Sequence, residues 1–119
     1  MKIIKEENIT YSSRESASML GEIVGLTAPI NKREYSVAIT KLEAGGTVTR
    51  HRHAVSDEIY IFTEGCCEMQ VNGKSVRASK GTVTVIEPGD WHEILPCCEN
   101  VTFYAVSFPA FRPEDFLTD

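Results

Sequence analysis

Beyond residue 34, apolar and polar residues alternate in short runs that are typical of half-buried β-strands. The runs are rich in Val, Ile, Thr, Tyr and Phe, and turn-forming residues separate them. The candidate strands are residues 35–42, 47–53, 58–63, 67–71, 74–78, 82–86, 92–95 and 101–108. A helix, if present, is confined to residues 12–20, where Ser13 could cap a short turn.

Turn signals recur at spacings near ten residues, which favours a β-sandwich or a β-barrel. Asn72-Gly73 lies between two of the runs and is a strong signal for a two-residue hairpin. No internal repeat and no Pro/Gly/Ser-rich linker divides the chain. The pattern therefore predicts one all-β domain.

The composition excludes several classes of partner. The chain has 119 residues, of which 42% are hydrophobic, as in a globular protein. The net charge is −5 and the 12 Lys and Arg residues are scattered, so we expect no nucleic-acid partner and no membrane partner. Residues 1–8 are charged and lack the apolar stretch of a signal peptide. We therefore expect a cytoplasmic protein whose four cysteines stay mostly reduced.

All three histidines and one glutamate form the clearest candidate for chemistry. His51 and His53 are two residues apart on a predicted strand, so both imidazoles project from the same face. Glu58 begins the next strand after a short connection, and its carboxylate, if buried, needs a cation beside it. His92 heads a further strand across the barrel. These residues suit a divalent metal ion.

The first sequence motif is specific. The spacing Gly45-x5-His51-x-His53-x4-Glu58-x6-Gly65 matches the first motif of the cupin family at every position. By this likeness, His51, His53 and Glu58 are three of the metal ligands.

The second motif matches with two departures. Gly81-x6-Pro88-Gly89-x2-His92 resembles the second cupin motif, although the family usually has Pro-x-Gly where Pro88-Gly89 stands here. Pro96 stands where the family often has Asn. Because these changes affect a turn and a neighbouring amide but no ligand, the chain still resembles a small, single-domain, RmlC-like cupin.

The resemblance implies an all-β double-stranded β-helix, or jelly roll, that forms a cupin barrel with the metal near one mouth. It implies one cupin domain over residues 1–119, with a core barrel at about 34–108, an N-terminal arm at 1–33 and a C-terminal tail at 109–119. One divalent ion per chain is expected, and Fe, Mn, Ni, Zn and Co all suit such ligands. The metal ligands implied by the likeness are His51, His53, Glu58 and His92.

A homodimer is the usual assembly of such proteins. Ile59 and Ile61 lie opposite Glu58 and Tyr60 on their strand and would be exposed on the outer face. Cover from a partner subunit or from the N-terminal segment 3–26 would remove that exposure. We therefore predict a homodimer.

Strand parity predicts an apolar, aromatic pocket. The expected inward residues are Thr47, Thr49, Tyr60, Phe62, Met69, Val85, Ile94 and Phe103. None is Lys or Arg, which disfavours a phosphorylated sugar or a dicarboxylate as the ligand. A small neutral, phenolic or dicarbonyl compound is favoured instead, with Tyr60 as the candidate catalytic residue.

Since a fold does not determine a function, several functions stay open. The first is a metal-dependent small-molecule enzyme such as a dioxygenase, with sugar isomerases and decarboxylases as related reactions. The second is a cupin that binds or senses a small molecule without converting it. The third is a structural barrel without a metal site.

The remaining features are two cysteine pairs and two polar segments. Cys66, Cys67, Cys97 and Cys98 are expected near one another at the barrel end away from the metal. A redox disulfide or a second metal site is one interpretation, and reduced, partly buried thiols are the other, which the cytoplasm favours. Trp91 is expected to face away from the metal, in packing or in a dimer contact, and the tail with Arg112, Glu114 and Asp115 is expected to be a solvated cap over a barrel mouth.

Overall fold

The computed structural model describes residues 1–15 and 17–119. This part of the chain forms eleven β-strands and two 3-10 turns, Glu6–Asn8 and Pro113–Asp115. The strands are β1 Tyr11–Ser13, β2 Ser18–Gly25, β3 Ile30–Asn31, β4 Ser36–Leu42, β5 Val48–His51, β6 Asp57–Glu64, β7 Cys66–Val71, β8 Lys74–Ser79, β9 Val83–Ile86, β10 His92–Ile94 and β11 Val101–Phe108. Among the described residues, no helix is long and apolar enough to cross a membrane.

The strands form two sheets that face each other. The larger sheet has the order β1-β2-β4-β11-β6-β9, and β3 pairs in parallel with β2. The smaller sheet has the order β5-β10-β7-β8. This is the predicted jelly-roll architecture, built as a β-sandwich. The closed barrel was not a correct expectation, because in the described residues no strand ladder joins one sheet to the other.

All eight strands predicted beyond residue 34 are present, with ends that agree to within two residues. The hairpin at Asn72-Gly73 is also confirmed, since both residues have positive φ, 49° and 79°, as a two-residue hairpin turn requires. The helix that the sequence allowed at residues 12–20 is absent from the described residues of this stretch, which contain the end of β1 and the start of β2. Ser16, which belongs to this stretch, lies outside the described residues.

The N-terminal arm extends the larger sheet. β2 pairs with β4 over most of its length, so pairing with a neighbouring strand overrides the weak local preference of this Ser-rich stretch. On the outer face, the side chains of Ile9 and Tyr11 lie against Gly21, whose register partner is Ile39. Ile39 points outward and is nevertheless buried. The arm therefore covers the outer face at β2 and β4. It does not cover β6, where Ile59 is half-buried and Ile61 is exposed.

Between the sheets lies one apolar core, which forms the floor of the site described below. Its largest fully buried side chains come from both sheets and include Phe62, Phe103, Leu42, Met69, Ile86 and Ile94. The predicted inward position of Val85 is wrong, since this side chain is 61% exposed. Its neighbours Thr84 and Ile86 face inward instead, because β9 pairs with β6 in a register that places Val85 beside the outward Ile59.

Candidate metal centre

The four predicted ligands come from both sheets. His51 ends β5 and His92 begins β10, and the two are direct register partners in the smaller sheet. Glu58 belongs to β6 of the larger sheet and faces inward, as do its strand neighbours Tyr60 and Phe62. His53 follows β5 by two residues and keeps the inward direction of His51. Strand parity therefore directs all four side chains into the space between the sheets.

The ligand atoms converge in a buried site. One ligand atom of each residue lies within 4.8 Å of the corresponding atoms of the other three. All four residues are buried: His51 and His53 are each 3% exposed, Glu58 is 6% exposed and His92 is 1% exposed. Donor atoms bound about 2.1 Å from one ion are at most about 4.2 Å apart, so small shifts would bring these four into coordination distance. The structure thus brings together the whole predicted ligand set.

The three imidazoles are held by main-chain carbonyls. The Nδ1 atom of His51 lies 2.6 Å from the Thr49 oxygen, that of His53 2.8 Å from the Asp115 oxygen, and that of His92 2.9 Å from the Asp90 oxygen. A carbonyl oxygen only accepts hydrogen bonds, so each Nδ1 donates. In the neutral imidazole, each Nε2 then carries a lone pair, which is the arrangement that a metal ligand needs.

These Nε2 atoms meet the Glu58 carboxylate. The Oε1 atom of Glu58 lies 3.2 Å from Nε2 of His53 and 3.3 Å from Nε2 of His92. The second contact lacks the alignment of a hydrogen bond. Nε2 of His92 is buried and, among the described residues, has no hydrogen-bond partner. Because a buried polar atom without a partner is unfavourable, a cation at this point fits the residues.

The site favours a neutral His51 and an ionised Glu58. Burial, reinforced by the neighbouring His92, lowers the pKa of His51 from 6.5 to about 4. Burial opposes ionisation of Glu58, but hydrogen bonding with His53 and the close imidazole of His92 outweigh it and lower the pKa of Glu58 to about 2. Burial also acts to lower the pKa of His53, but Glu58 outweighs it, so that pKa is raised. The ionised Glu58 therefore supplies a buried negative charge at the point where the three imidazoles meet.

Two polar residues that the sequence did not assign to the site complete the surroundings of Glu58 and His53. Ser107 lies opposite Glu58 in the register of β11 and β6 and donates a hydrogen bond to Oε2 of Glu58 at 3.4 Å. Ser107 could be found by inward parity on the predicted strand 101–108. Asp115 accepts the Nδ1 hydrogen bond of His53 through its main-chain carbonyl. Its buried position corrects the prediction that this part of the tail is solvated.

The metal centre opens into a cavity of about 630 Å³ between the larger sheet and the tail. Tyr60 and Phe103 line it as predicted, together with apolar residues of β2 and β4 such as Leu20 and Ala38. Burial, together with the charge of Glu58, raises the pKa of Tyr60 well above 10, so its phenol stays protonated.

The prediction of a pocket without cationic side chains is wrong. Arg14 lines the cavity, as do two carboxylates of the N-terminal arm, Glu15 and Glu22. Glu15 is bound by β5, because it accepts hydrogen bonds from the main-chain N–H of Thr49 at 2.9 Å and from its hydroxyl at 2.7 Å. Strand parity beyond residue 34 could not find these residues, because they belong to strands and connections that the sequence pattern did not predict.

The cysteines and Trp91 lie outside the metal centre. All four cysteines are free thiols, and in the described residues they form no cluster that could hold a metal. Cys67 and Cys97 belong to the apolar core, and burial, reinforced by Cys97, raises the pKa of Cys67 to about 12. Trp91 lies under the guanidinium groups of Arg50 and Arg52, at 4.1 and 5.3 Å from its ring centre. These contacts bear out its predicted packing role.

Comparison with solved structures finds the same fold at low sequence identity. An RmlC-like cupin from Shewanella frigidimarina is 15% identical with a TM-score of 0.81, over 96% of this chain and 95% of that chain. A predicted oxalate decarboxylase from Thermotoga maritima is 23% identical with a TM-score of 0.79, over 91% and 99%. The polyketide cyclase RemF from Streptomyces resistomycificus is 16% identical with a TM-score of 0.77, over 97% and 89%. No curated protein matches the sequence.

Comparison with protein families gives one assignment. The family described as "Cupin domain" matches residues 38–99, a little more than half of the chain. The matched segment runs from β4 to the segment just before β11 and contains all four residues of the candidate metal centre. The chain therefore belongs to the cupin domain family.

Proposed function

We propose that this protein is a divalent-metal-dependent enzyme that converts a small organic molecule, with a dioxygenase as the first candidate. The observation that carries the proposal is the convergence of His51, His53, Glu58 and His92 at one end of a cavity of about 630 Å³. That volume lies in the range typical of small-molecule sites. A bound divalent ion would polarise oxygen atoms of a ligand and, if redox-active, would support oxygen chemistry.

Each residue of the site has a role in this proposal. The three imidazoles and Glu58 hold the ion, and Ser107 orients the Glu58 carboxylate through its hydrogen bond. Tyr60 is the proposed catalytic residue, because it lines the cavity and its raised pKa keeps a proton available for donation to a ligand oxygen. Apolar residues of β2, β4 and β11 exclude water from the ligand.

The proposed ligand is a small neutral phenolic or dicarbonyl compound, which suits the largely apolar walls. Arg14 favours a second candidate, a decarboxylase or isomerase, because a guanidinium group at the cavity binds a carboxylate or a phosphate well. The structural neighbours carry names of different reactions, including a predicted oxalate decarboxylase and a polyketide cyclase, so the shared fold does not choose between these candidates.

Metal analysis followed by a substrate screen tests the proposal. Protein purified without added metal is analysed for its elements, then loaded separately with Fe, Mn, Ni, Zn and Co. Oxygen uptake is screened with phenols and diketones, and carbon dioxide release with small dicarboxylic acids. Glu58→Gln is the control, because it removes the ligand charge but keeps a similar shape. Stoichiometric metal with turnover supports the enzyme, tight binding without turnover indicates a binding module, and no metal uptake contradicts the proposal.

We propose a homodimer as the assembly. The outer face of β6 and β9 is apolar, with Ile61, Val83 and Val85 exposed by 38%, 57% and 61%. Val85→Lys is expected to shift the mass in light scattering from dimer to monomer, whereas Val55→Lys, at another exposed valine, leaves it unchanged. A monomeric wild-type protein at micromolar concentration contradicts this assembly.

We also propose that residues 1–119 form one cupin domain and that the protein works in the cytoplasm. The first is supported by the strands that the arm adds to the larger sheet and by the contacts of the tail with the metal centre. The second is supported by the four free thiols. A single cooperative unfolding transition and fractionation of cells test these two proposals.

A further inference from the structure

The C-terminal tail contacts the metal centre through Asp115. The Asp115 carboxylate accepts main-chain hydrogen bonds from Ala54 at 2.8 Å, Val55 at 3.2 Å and Ser56 at 3.2 Å. These three residues directly follow His53. The main-chain carbonyl of Asp115 accepts the Nδ1 hydrogen bond of His53 itself, at 2.8 Å. One tail residue thus holds both the imidazole of a candidate ligand and the loop that leads away from it.

A second tail residue contacts another candidate ligand. The ring of Phe116 stacks on the imidazole of His51, with ring centres 4.1 Å apart and planes 17° apart. Next to it, the main chains of Leu117 and Arg52 exchange two hydrogen bonds, at 2.9 and 3.0 Å. The tail therefore runs along residues 51–53 in the manner of an additional short strand.

We propose that Asp115 and Phe116 are positioning residues of the metal centre, Asp115 for His53 and Phe116 for His51. Asp115 is only 8% exposed, so its carboxylate is buried where the hydrogen bonds from residues 54–56 replace water. A surface cap would leave such a carboxylate in solvent. Groups that fix the second nitrogen of a metal-binding histidine set its orientation, and their loss typically weakens metal binding.

Reciprocal stabilisation follows from these contacts. If the docked tail fixes His51 and His53 in the orientation that binds the ion, a bound ion stabilises the docked tail by the same free energy. The main-chain N–H of Leu117, which is bonded to Arg52, reports on this docking. Its hydrogen exchange is therefore expected to slow when metal binds.

Cobalt binding to two pairs of variants tests the proposal, which rests on the proposed metal-binding function. Metal-free full-length protein is titrated with Co²⁺, and the visible absorption gives both affinity and coordination geometry. Asp115→Asn is expected to bind about 10-fold to 100-fold more weakly and with a changed spectrum. Glu114→Gln, which removes an exposed neighbouring carboxylate of the same tail, is expected to match the wild type.

The second pair does not depend on Asp115→Asn being folded. Phe116→Ala removes a side chain that is 38% exposed, and Phe108→Ala removes one that is 45% exposed on β11. We expect a changed cobalt spectrum and weaker binding for the first and wild-type behaviour for the second. Hydrogen exchange of residues 111–117 with and without Co²⁺ is measured in parallel on the wild type.

The outcomes separate the two proposals. Wild-type affinity and spectrum in Asp115→Asn or Phe116→Ala overturn the positioning role of that side chain, even if the thermal stability of the variant falls, while metal binding by the protein stands. Tail exchange that is indifferent to Co²⁺ overturns the reciprocal coupling. A wild-type protein that takes up no Co²⁺ refutes the metal-binding function and the positioning roles together.

Discussion

Gly65 and Gly73 form a matched pair that tests how closely the backbone is constrained beside β7. Both have a φ of 79°, in the left-handed region that side chains rarely adopt. At Gly73, in the β7–β8 hairpin, an added Cβ would meet no atom within 4 Å. At Gly65, between β6 and β7, it would collide with the main-chain carbonyl of Asn100 and lie 3.0 Å from the Cα atom of Val101.

The expected losses of stability follow from these surroundings. Gly73→Ala introduces only the left-handed strain, about 1–2 kcal/mol. Gly65→Ala introduces the same strain and also forces the start of β11 away from the turn, an overpacking that costs about 1–3 kcal/mol more. Val101 is fully buried, so the displacement disturbs the core and cannot be relieved into solvent.

Urea unfolding of the metal-free protein, followed by the fluorescence of Trp91, the single tryptophan, measures both losses. The free energy of unfolding should fall further for Gly65→Ala than for Gly73→Ala, by about 1–3 kcal/mol. Equal losses for the two variants would refute the reasoning, because the shared φ would then account for the whole effect.

Three further predictions concern the metal centre. Tyr60→Phe should keep the metal stoichiometry, but turnover of any substrate found should fall about 100-fold or more. Tyr104→Phe, on the outward side of β11, should leave turnover unchanged. The free energy of unfolding of the metal-free protein should fall by up to about 3 kcal/mol between pH 6.5 and pH 4. The reason is that His51 has a pKa of about 4 in the folded protein, so the unfolded chain binds a proton at His51 more readily. The raised pKa of His53 offsets part of this loss. A His51→Gln variant that loses as much free energy of unfolding over this pH range as the wild type, measured by chemical denaturation, would contradict the role given to His51. Removal of the metal ion with a chelator should lower the midpoint of thermal unfolding. The stabilisation that is lost is about 2.7 kcal/mol if the free ion had been present at 100 times its dissociation constant.

The sequence predicts the ligand set because the relevant information is local. His51 and His53 are two residues apart, and Glu58 follows on the next strand, so strand parity directs all three inward. Parity also places Tyr60 and Phe103 at the cavity. The same argument fails for Val85, because the alternation on β9 does not by itself say which of its two faces the pairing turns inward.

The contributions of the two ends of the chain are not local. Glu15 binds Thr49, 34 residues further along, and Asp115 binds residues about 60 positions earlier. Neither carboxylate differs in local sequence from a solvated one. The edge strands β1 and β3 are only three and two residues long and exist because β2 provides a partner, so their own residues carry little β signal. Arg14, which favours a small molecule with a carboxylate or a phosphate, lies in this region that the sequence pattern did not predict.

The positions of the four candidate ligands depend on how the two sheets pack. His51 and His92 belong to the smaller sheet and Glu58 belongs to the larger one, while no strand ladder joins the sheets in the described part of the chain. The distance from the imidazoles to the carboxylate is therefore set by the apolar core between the sheets and by the tail. A site of this kind is sensitive to changes far from the ion, because any repacking that separates the sheets also separates the ligands. A cation held by both sheets supplies a direct connection between them that no ladder of the described strands supplies, so metal binding and sandwich stability rise together.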